Sequence, residues 1–356
     1  MRTRQYNRQP SMVEALGHYR ILDRIGSGGI GDLYRARDTR LGRTTALRMV
    51  ARHIADDPGR RGRFLREAQA AAALSHPNIA ALYEIGEHQN QLFLVFEFVP
   101  GDVLEHMIGG RALHPRRAVE FAAQIADALA EAHAHGIVHG GIASANVIVT
   151  PKDKAKILEF GLAAWTRGGA AREQASGARD ATLATAGPPP STLASMSPEQ
   201  ARGDSIDRRT DIFSLGAVLF EMLTGRPPFT GNTAPALALQ IVQARPIAPS
   251  TVTRTVPPEV DAIVARALAK GIDERYDSAA MLAAELRSAA ATLDARTQRS
   301  ESAGRAPSPV ATRRRRSRVR WLVLAVLTAA LVAAIWFGRD AIQSIWKGPG
   351  IFDRLL

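Results

Sequence analysis

The chain has 356 residues, no cysteine and a formal net charge of +12, which excludes disulfides and thiolate metal sites and is compatible with a reducing compartment. Its hydrophobic fraction of 46% against 22% charged residues excludes a disordered chain and leaves room for one large domain or two medium ones with extensions. The basic excess raises the question of nucleic acid. Six arginines fall in one segment, "RRRRSRVR", Arg313 to Arg320, directly before an uncharged apolar run, so the excess points to a membrane surface and no nucleic-acid partner is implied.

In chain order, residues 1–18 read as a polar, flexible tail. From Tyr19, "YRILDRIGSGGIGDLYRARD" alternates apolar and polar residues around a glycine cluster, the pattern of two strands joined by a glycine-rich turn. "TTALRMV" is a further short strand. "RGRFLREAQAAAALS", Arg61 to Ser75, has helical spacing, and the following "HPNI" ends it, because the residue before proline resists helix. "LFLVFEFVPG" reads as a buried strand closed by Pro-Gly. After Leu113 the character changes: "HPRRAVEFAAQIADALAEAHAHG" predicts a long amphipathic helix stopped at Gly136. Further helices are predicted at Arg209 to Thr224, Pro235 to Gln243, Pro258 to Ala269 and Ser278 to Leu293. A small strand-rich front and a larger helix-rich back give an α+β protein with two lobes, about 19–99 and 100–293. Residues 166–195 inside the back lobe, and 296–312 within the linker and basic juxtamembrane segment 294–320, are rich in small and polar residues and read as mobile.

"WLVLAVLTAALVAAIWF", residues 321–337, is 17 residues without a charge, about 25 Å as a helix and near the lower limit for spanning a bilayer. Tryptophans at both ends suit the two interfaces, and the preceding arginines orient that side to the cytoplasm. A single-pass membrane protein is expected, with a cytoplasmic bulk, anionic-lipid contact at Arg313 to Arg320, and a short outer tail, 338–356. Ala325, Ala329 and Ala333 have the small-xxx-small spacing of helix pairs, but in an alanine-rich chain that spacing is better read as coincidence.

The order of motifs from about Tyr19 to Leu293 resembles the bacterial Ser/Thr protein kinase family. "IGSGGIGDLY" matches the glycine-rich loop with Gly26, Gly28 and Gly31. "ALRMV" stands at the strand-three position and Glu67 in the helix after it. "HGGIASAN" stands for H-R-D-L-x-x-x-N, "EFG" for D-F-G and "SPEQ" for A-P-E, followed by "RRTDIFSLGAVLFEMLTGRPPF". The resemblance implies a two-lobed kinase fold with ATP between the lobes. Leu33, Ala46 and Ile148 correspond to the adenine sandwich, Phe96 to the residue guarding the pocket, and Glu97 to Val99 to the hinge. His139 and Phe160 correspond to the internal hydrophobic column, Glu199 and Arg275 to a buried ion pair, and Asp211 to the aspartate that holds the catalytic loop.

The departures fall on the chemistry. The lysine that grips the phosphates and pairs with the helix glutamate is Arg48, opposite Glu67. The base that accepts the substrate hydroxyl's proton is Gly141, and the arginine before it is Gly140. The lysine two places on is Ala143, and the metal-binding aspartate is Glu159; the other implied magnesium ligand, Asn146, remains. A planar guanidinium is no replacement for a compact ammonium, and a glycine has no carboxylate with which to act as base. Composition accounts for part of this, since only five of the 46 basic residues are lysines; it does not account for Gly141.

Three readings follow. One is a pseudokinase, a signalling scaffold with the nucleotide-binding set Gly26, Gly28, Gly31, Leu33, Ala46, Arg48, Glu67, Glu97, Val99 and Ile148, which holds ATP weakly coupled to magnesium and acts on a protein partner such as an active kinase or its substrate. The alternative is a weakly active or atypical Ser/Thr kinase, supported by the retained glycine loop, Asn146 and the Glu159 carboxylate. The third is a structural membrane protein that binds no nucleotide. Thr182, Thr185 and Thr192 in the activation segment are candidates for phosphorylation that docks a partner.

Overall fold

The computed structural model describes residues 15–160, 162, 165, 193–304 and 315–346, with side chains over 15–160, 162, 165, 193–296 and 321–336. The threonines Thr182, Thr185 and Thr192, the side chains of the basic run 313–320 and the tail 347–356 lie outside the described residues. The chain divides into two units, 1–296 and 297–356.

The first unit opens with an antiparallel sheet of six strands in the order β1-β2-β3-β4-β6-β5. The strands are β1 (Ala15–Leu16), β2 (Tyr19–Gly28), β3 (Gly31–Asp38), β4 (Thr44–Val50), β5 (Leu82–His88) and β6 (Gln91–Glu97). Folded chain thus starts earlier than the tail read for residues 1–18 implies. Leu16 is buried and pairs with Tyr19, and its apolar contact with Ala36, Leu47 and Phe93 ties the segment to the sheet. Between β4 and β5 lie α1 (Arg52–Ala55) and α2 (Pro58–Ala72). Helix α2 begins three residues before the expected Arg61, because Asp57 caps it by accepting from the Arg60 N–H at 2.8 Å and Pro58 occupies the first turn, where proline costs no hydrogen bond. Phe64 and Ala68 on its inner face pack on Ile30, Val50, Leu94 and Phe96.

The back lobe is helical around one large core. After β7 (Asp102–Val103) and α3 (Leu104–Ile108), α4 (Pro115–Ala134) runs to a turn at Gly136, whose φ of 72° suits the predicted stop. Two three-residue strands, β8 (Val147–Val149) and β9 (Ala155–Ile157), complete a small sheet with β7. Helices α5 (Pro198–Arg202), α6 (Arg208–Thr224), α7 (Ala234–Gln243), α8 (Pro249–Val252), α9 (Pro258–Ala267) and α10 (Ala279–Gly304) follow. From Thr210 to Leu223 every residue of α6 except Glu221 is buried, as expected of a helix around which a lobe is built. It carries Asp211 into the cleft from below.

The second unit contains α11 (Arg315–Trp346). The large apolar side chains described between residues 321 and 336 are exposed, Trp321 and Trp336 to more than 70%. Among the described residues no helix is long and apolar enough to cross a membrane.

Candidate active site

The glycine turn joins β2 to β3 with Gly28 paired to Gly31 and Gly26 to Leu33. Gly31 is required here. Its φ is 134°, and a Cβ would lie 1.8 Å from the Met49 carbonyl oxygen, where Gly31 pairs with Val50 of the neighbouring strand β4. Ala46 and Arg48 are two apart on β4 and so share a face, with Leu33 paired to Arg48 and Phe96 to Ala46. The hinge residue Glu97 is clasped by Lys156 of β9, whose Nζ lies 2.8 and 2.7 Å from the two carboxylate oxygens. Val99 is buried, while Ile148 of β8 is partly buried on the floor of the cleft, paired with Val103.

The catalytic loop is held from below. Asp211 accepts the backbone N–H of His139 at 2.9 Å and of Gly140 at 2.7 Å, and also contacts His133 Nε2 at 2.8 Å. Gln200, locked in a capping box with Ser197 at the start of α5, donates to the Gly140 carbonyl at 2.7 Å. Gly140 has a φ of 65°, so the residue that replaces arginine sits in the left-handed region glycine favours. The His139 ring stands edge-on to Phe160 at 4.7 Å between centroids. Its Nδ1 accepts from the Gly141 N–H at 3.1 Å, which leaves Nε2 to donate to the Leu158 carbonyl at 3.3 Å. Both nitrogens are thereby engaged with backbone, an arrangement that packs the loop and leaves no free base. Ala143 is fully buried and its side chain carries no polar atom. Asn146 Nδ2 donates to the Gly141 carbonyl at 2.8 Å, so its amide closes the loop on the position without a carboxylate.

The cation of the cleft has a different partner from the one the resemblance implies. Arg48 donates from Nη1 to the Gly31 carbonyl at 2.9 Å and forms an ion pair through Nη2 with Glu159. No Arg48–Glu67 pair forms. Glu67 accepts from Arg63 Nε at 2.9 Å and from the Trp165 indole at 2.5 Å, while the fork of the guanidinium lets Arg48 bridge the glycine turn and the "EFG" segment together. Glu159 sits at a φ of 54°, a left-handed conformation that costs a non-glycine residue about 1–3 kcal/mol. Among the described residues no group of three His or acidic side chains converges on a point that would hold a metal ion. Trp165 and Lys156 were not legible as site residues: neither matches a family motif, and their roles depend on partners 98 and 59 positions away.

Deeper in the back lobe, Arg275 meets Glu199 with two hydrogen bonds of 2.7 and 2.8 Å, and Thr210 adds a third at 2.7 Å. Burial alone would raise the Glu199 carboxyl, but these bonds outweigh it and hold it at about 2. Glu221 is raised: burial dominates, the neighbouring Ser144 hydroxyl offsets part of it, and the Glu105 charge adds to it.

A family model of the protein kinase domain matches residues 19–286. A probable serine/threonine-protein kinase of Streptomyces coelicolor is 40% identical over 268 residues, 74% of this chain and 38% of that protein. Serine/threonine-protein kinase PknB of Mycolicibacterium smegmatis is 39% identical over 75% of this chain and 42% of its own length. PrkC of Bacillus subtilis is 35% identical over 77% and 40%. The chain thus spans about two fifths of the length of these curated relatives. The crystal structure of the Mycobacterium tuberculosis PknI kinase domain superposes with a TM-score of 0.59 at 22% identity, covering 77% of this chain and 97% of that one, a likeness of fold alone. With the family model matched over most of its length and every motif position in order, the chain belongs to the protein kinase family, among the bacterial Ser/Thr kinases.

Proposed function

We propose that this chain is a membrane-anchored pseudokinase, a kinase-fold signalling protein that regulates or scaffolds a protein partner and does not itself transfer phosphate. The observation that carries this reading is Gly141. Its carbonyl is bound by Asn146 and its N–H by His139, so the loop is fully built around a residue with no carboxylate. A general base contributes typically about 10²–10⁴-fold, and neither ring nitrogen of His139 is free to replace it. In this reading the nucleotide lies with its purine among Leu33, Ala46, Glu97, Val99 and Ile148 and its phosphates toward the backbone of the glycine turn, Gly26, Gly28 and Gly31. For magnesium, the Glu159 carboxylate is engaged by Arg48, while Asn146 donates through Nδ2 to Gly141 and keeps Oδ1 as an acceptor; an ion here would need Glu159 released from Arg48 and would take its remaining oxygens from phosphates and water. Anchoring at 321–337 is supported by the exposed apolar side chains of α11, with Trp321 and Trp336 near its ends.

The second reading, a slow Ser/Thr kinase, is favoured by the comparisons, since the relatives at 35 to 40% identity are named as kinases. One assay separates the two. Full chain in detergent, given ATP, magnesium and a general protein substrate, is expected to transfer no phosphate above the level of its Asn146→Ala variant over hours. Transfer that depends on Asn146 would establish the second reading, and thermal stabilisation by ATP in the presence of EDTA would support nucleotide binding without chemistry.

A further inference from the structure

Arg48 belongs to β4 in the front sheet, and Glu159 lies two residues past the end of β9 in the back-lobe sheet. Their ion pair therefore joins the two sheets, and the bond of 2.9 Å from Arg48 Nη1 to the Gly31 carbonyl ties the glycine turn to the same point. The pair is shielded, with the Arg48 side chain 8% exposed and that of Glu159 17%. Opening it is costly, because each charge left behind has lost its water. The neighbouring cations are committed as well: Arg24 lies 3.6 Å from Asp32 of the turn, and Lys156 is clasped by Glu97 at the hinge. Ala143 supplies no charge where the family has a lysine. Among these described residues each positive charge has its carboxylate, so together they offer a phosphate chain no net positive charge.

One polar group is unanswered. Arg48 Nε is buried and has no acceptor, and a buried donor in that state marks the place of one. A neutral oxygen suffices, since a hydroxyl accepts a hydrogen bond without drawing Glu159 away from the guanidinium. Taking the cleft as a nucleotide site, we infer that it holds a purine nucleoside with no phosphate chain, an inference that rests on that site and narrows its ligand class. The 5′-hydroxyl, the atom from which a phosphate chain would extend toward the glycine turn, accepts from Arg48 Nε, and the Arg48–Glu159 pair stays closed. A polyphosphate in the same place meets the Glu159 carboxylate, a like charge, and gains the rest of the guanidinium only by opening the pair.

The test measures Kd by equilibrium dialysis on the full chain in detergent and EDTA, with adenosine, AMP and ATP as probes. Adenosine is expected to bind most tightly, and ATP more weakly by about tenfold or more. Loss of the 5′ oxygen, in 5′-deoxyadenosine, should weaken binding severalfold. Glu159→Gln should tighten ATP by about tenfold, so that the discrimination narrows. ATP binding as tightly as adenosine overturns the inference and leaves the nucleotide site in place. A reversal of the order when magnesium replaces EDTA overturns it too, because the ion would then have drawn Glu159 off Arg48. If no probe binds, the cleft is not a nucleotide site and both readings fall together. The probe series on the parent chain gives these outcomes even where Glu159→Gln folds poorly.

Discussion

Arg275 and Arg48 are both buried arginines paired with a glutamate, and they differ in how fully they are satisfied. Arg275 places both terminal nitrogens on Glu199 and gives Nε to the Ala269 carbonyl at 2.9 Å. Arg48 divides its terminal nitrogens between Gly31 and Glu159 and leaves Nε without an acceptor. A saturated buried pair fixes one arrangement; an unsaturated one leaves a place for something else. The back-lobe pair is therefore part of the frame and the cleft pair part of a site. Glu199→Ala tests the frame and has the largest expected effect. It strands a buried guanidinium, at about 3–5 kcal/mol, and should lower the melting temperature by roughly 10 °C. Glu159→Ala, in a cleft 17% open at that side chain, should lower it by much less. Equal losses would erase the distinction between frame and site.

Acid should sharpen the same contrast. The Glu199 carboxyl is depressed from 4.5 to about 2, so its stabilisation is fully present above the unfolded value and is lost as the pH falls through 4.5 towards 2. That is about 3 kcal/mol. Glu221 is raised by burial, so the sign reverses: its protonated form favours the fold, and stability declines as the pH rises from its unfolded value to its folded one. Urea melts between pH 2 and 7 should show the fall below pH 4.5 flattened in Glu199→Gln, and the decline at higher pH removed in Glu221→Gln. A parent curve with no loss below pH 4.5 would mean that Glu199 is not held by Arg275 in solution.

Much of the frame was legible in the sequence, and the cleft only in part. The alternation in "YRILDRIGSGGIGDLYRARD" and the helical spacing of residues 114–136 report burial, which is what local pattern encodes. The start of α2 was missed because Gly59, Arg60 and Gly62 carry no apolar stripe; the signal was Asp57 before Pro58. Helix α10 runs past the expected Leu293 to Gly304, since polar residues outside the core continue a helix without periodicity. The vacant base at Gly141 was visible as an identity. The exchange of Glu67 for Glu159 at Arg48 was not, because side-chain partners 111 residues apart leave no periodic trace, and Trp165 falls in no motif.

The smallest expected effect concerns the cleft alone. If ATP takes up Arg48 through a phosphate, it must first displace Glu159, so part of the affinity is spent on an internal competitor. Glu159→Gln keeps the length and a carbonyl acceptor but removes the charge. The bond from the charged guanidinium persists with a neutral acceptor; hydrogen bonds to charged groups span about 1.5–3 kcal/mol, and a competitor weakened within that span by roughly 1.4 kcal/mol corresponds to tenfold in Kd. The variant should bind ATP about tenfold more tightly in EDTA, by equilibrium dialysis, while its melting temperature without nucleotide falls slightly. Arg48→Met should remove that gain, because the competitor matters only where the guanidinium is present to be competed for. A Kd unchanged by Glu159→Gln would place the phosphates away from Arg48, and the arginine would then belong, with Arg275, to the frame.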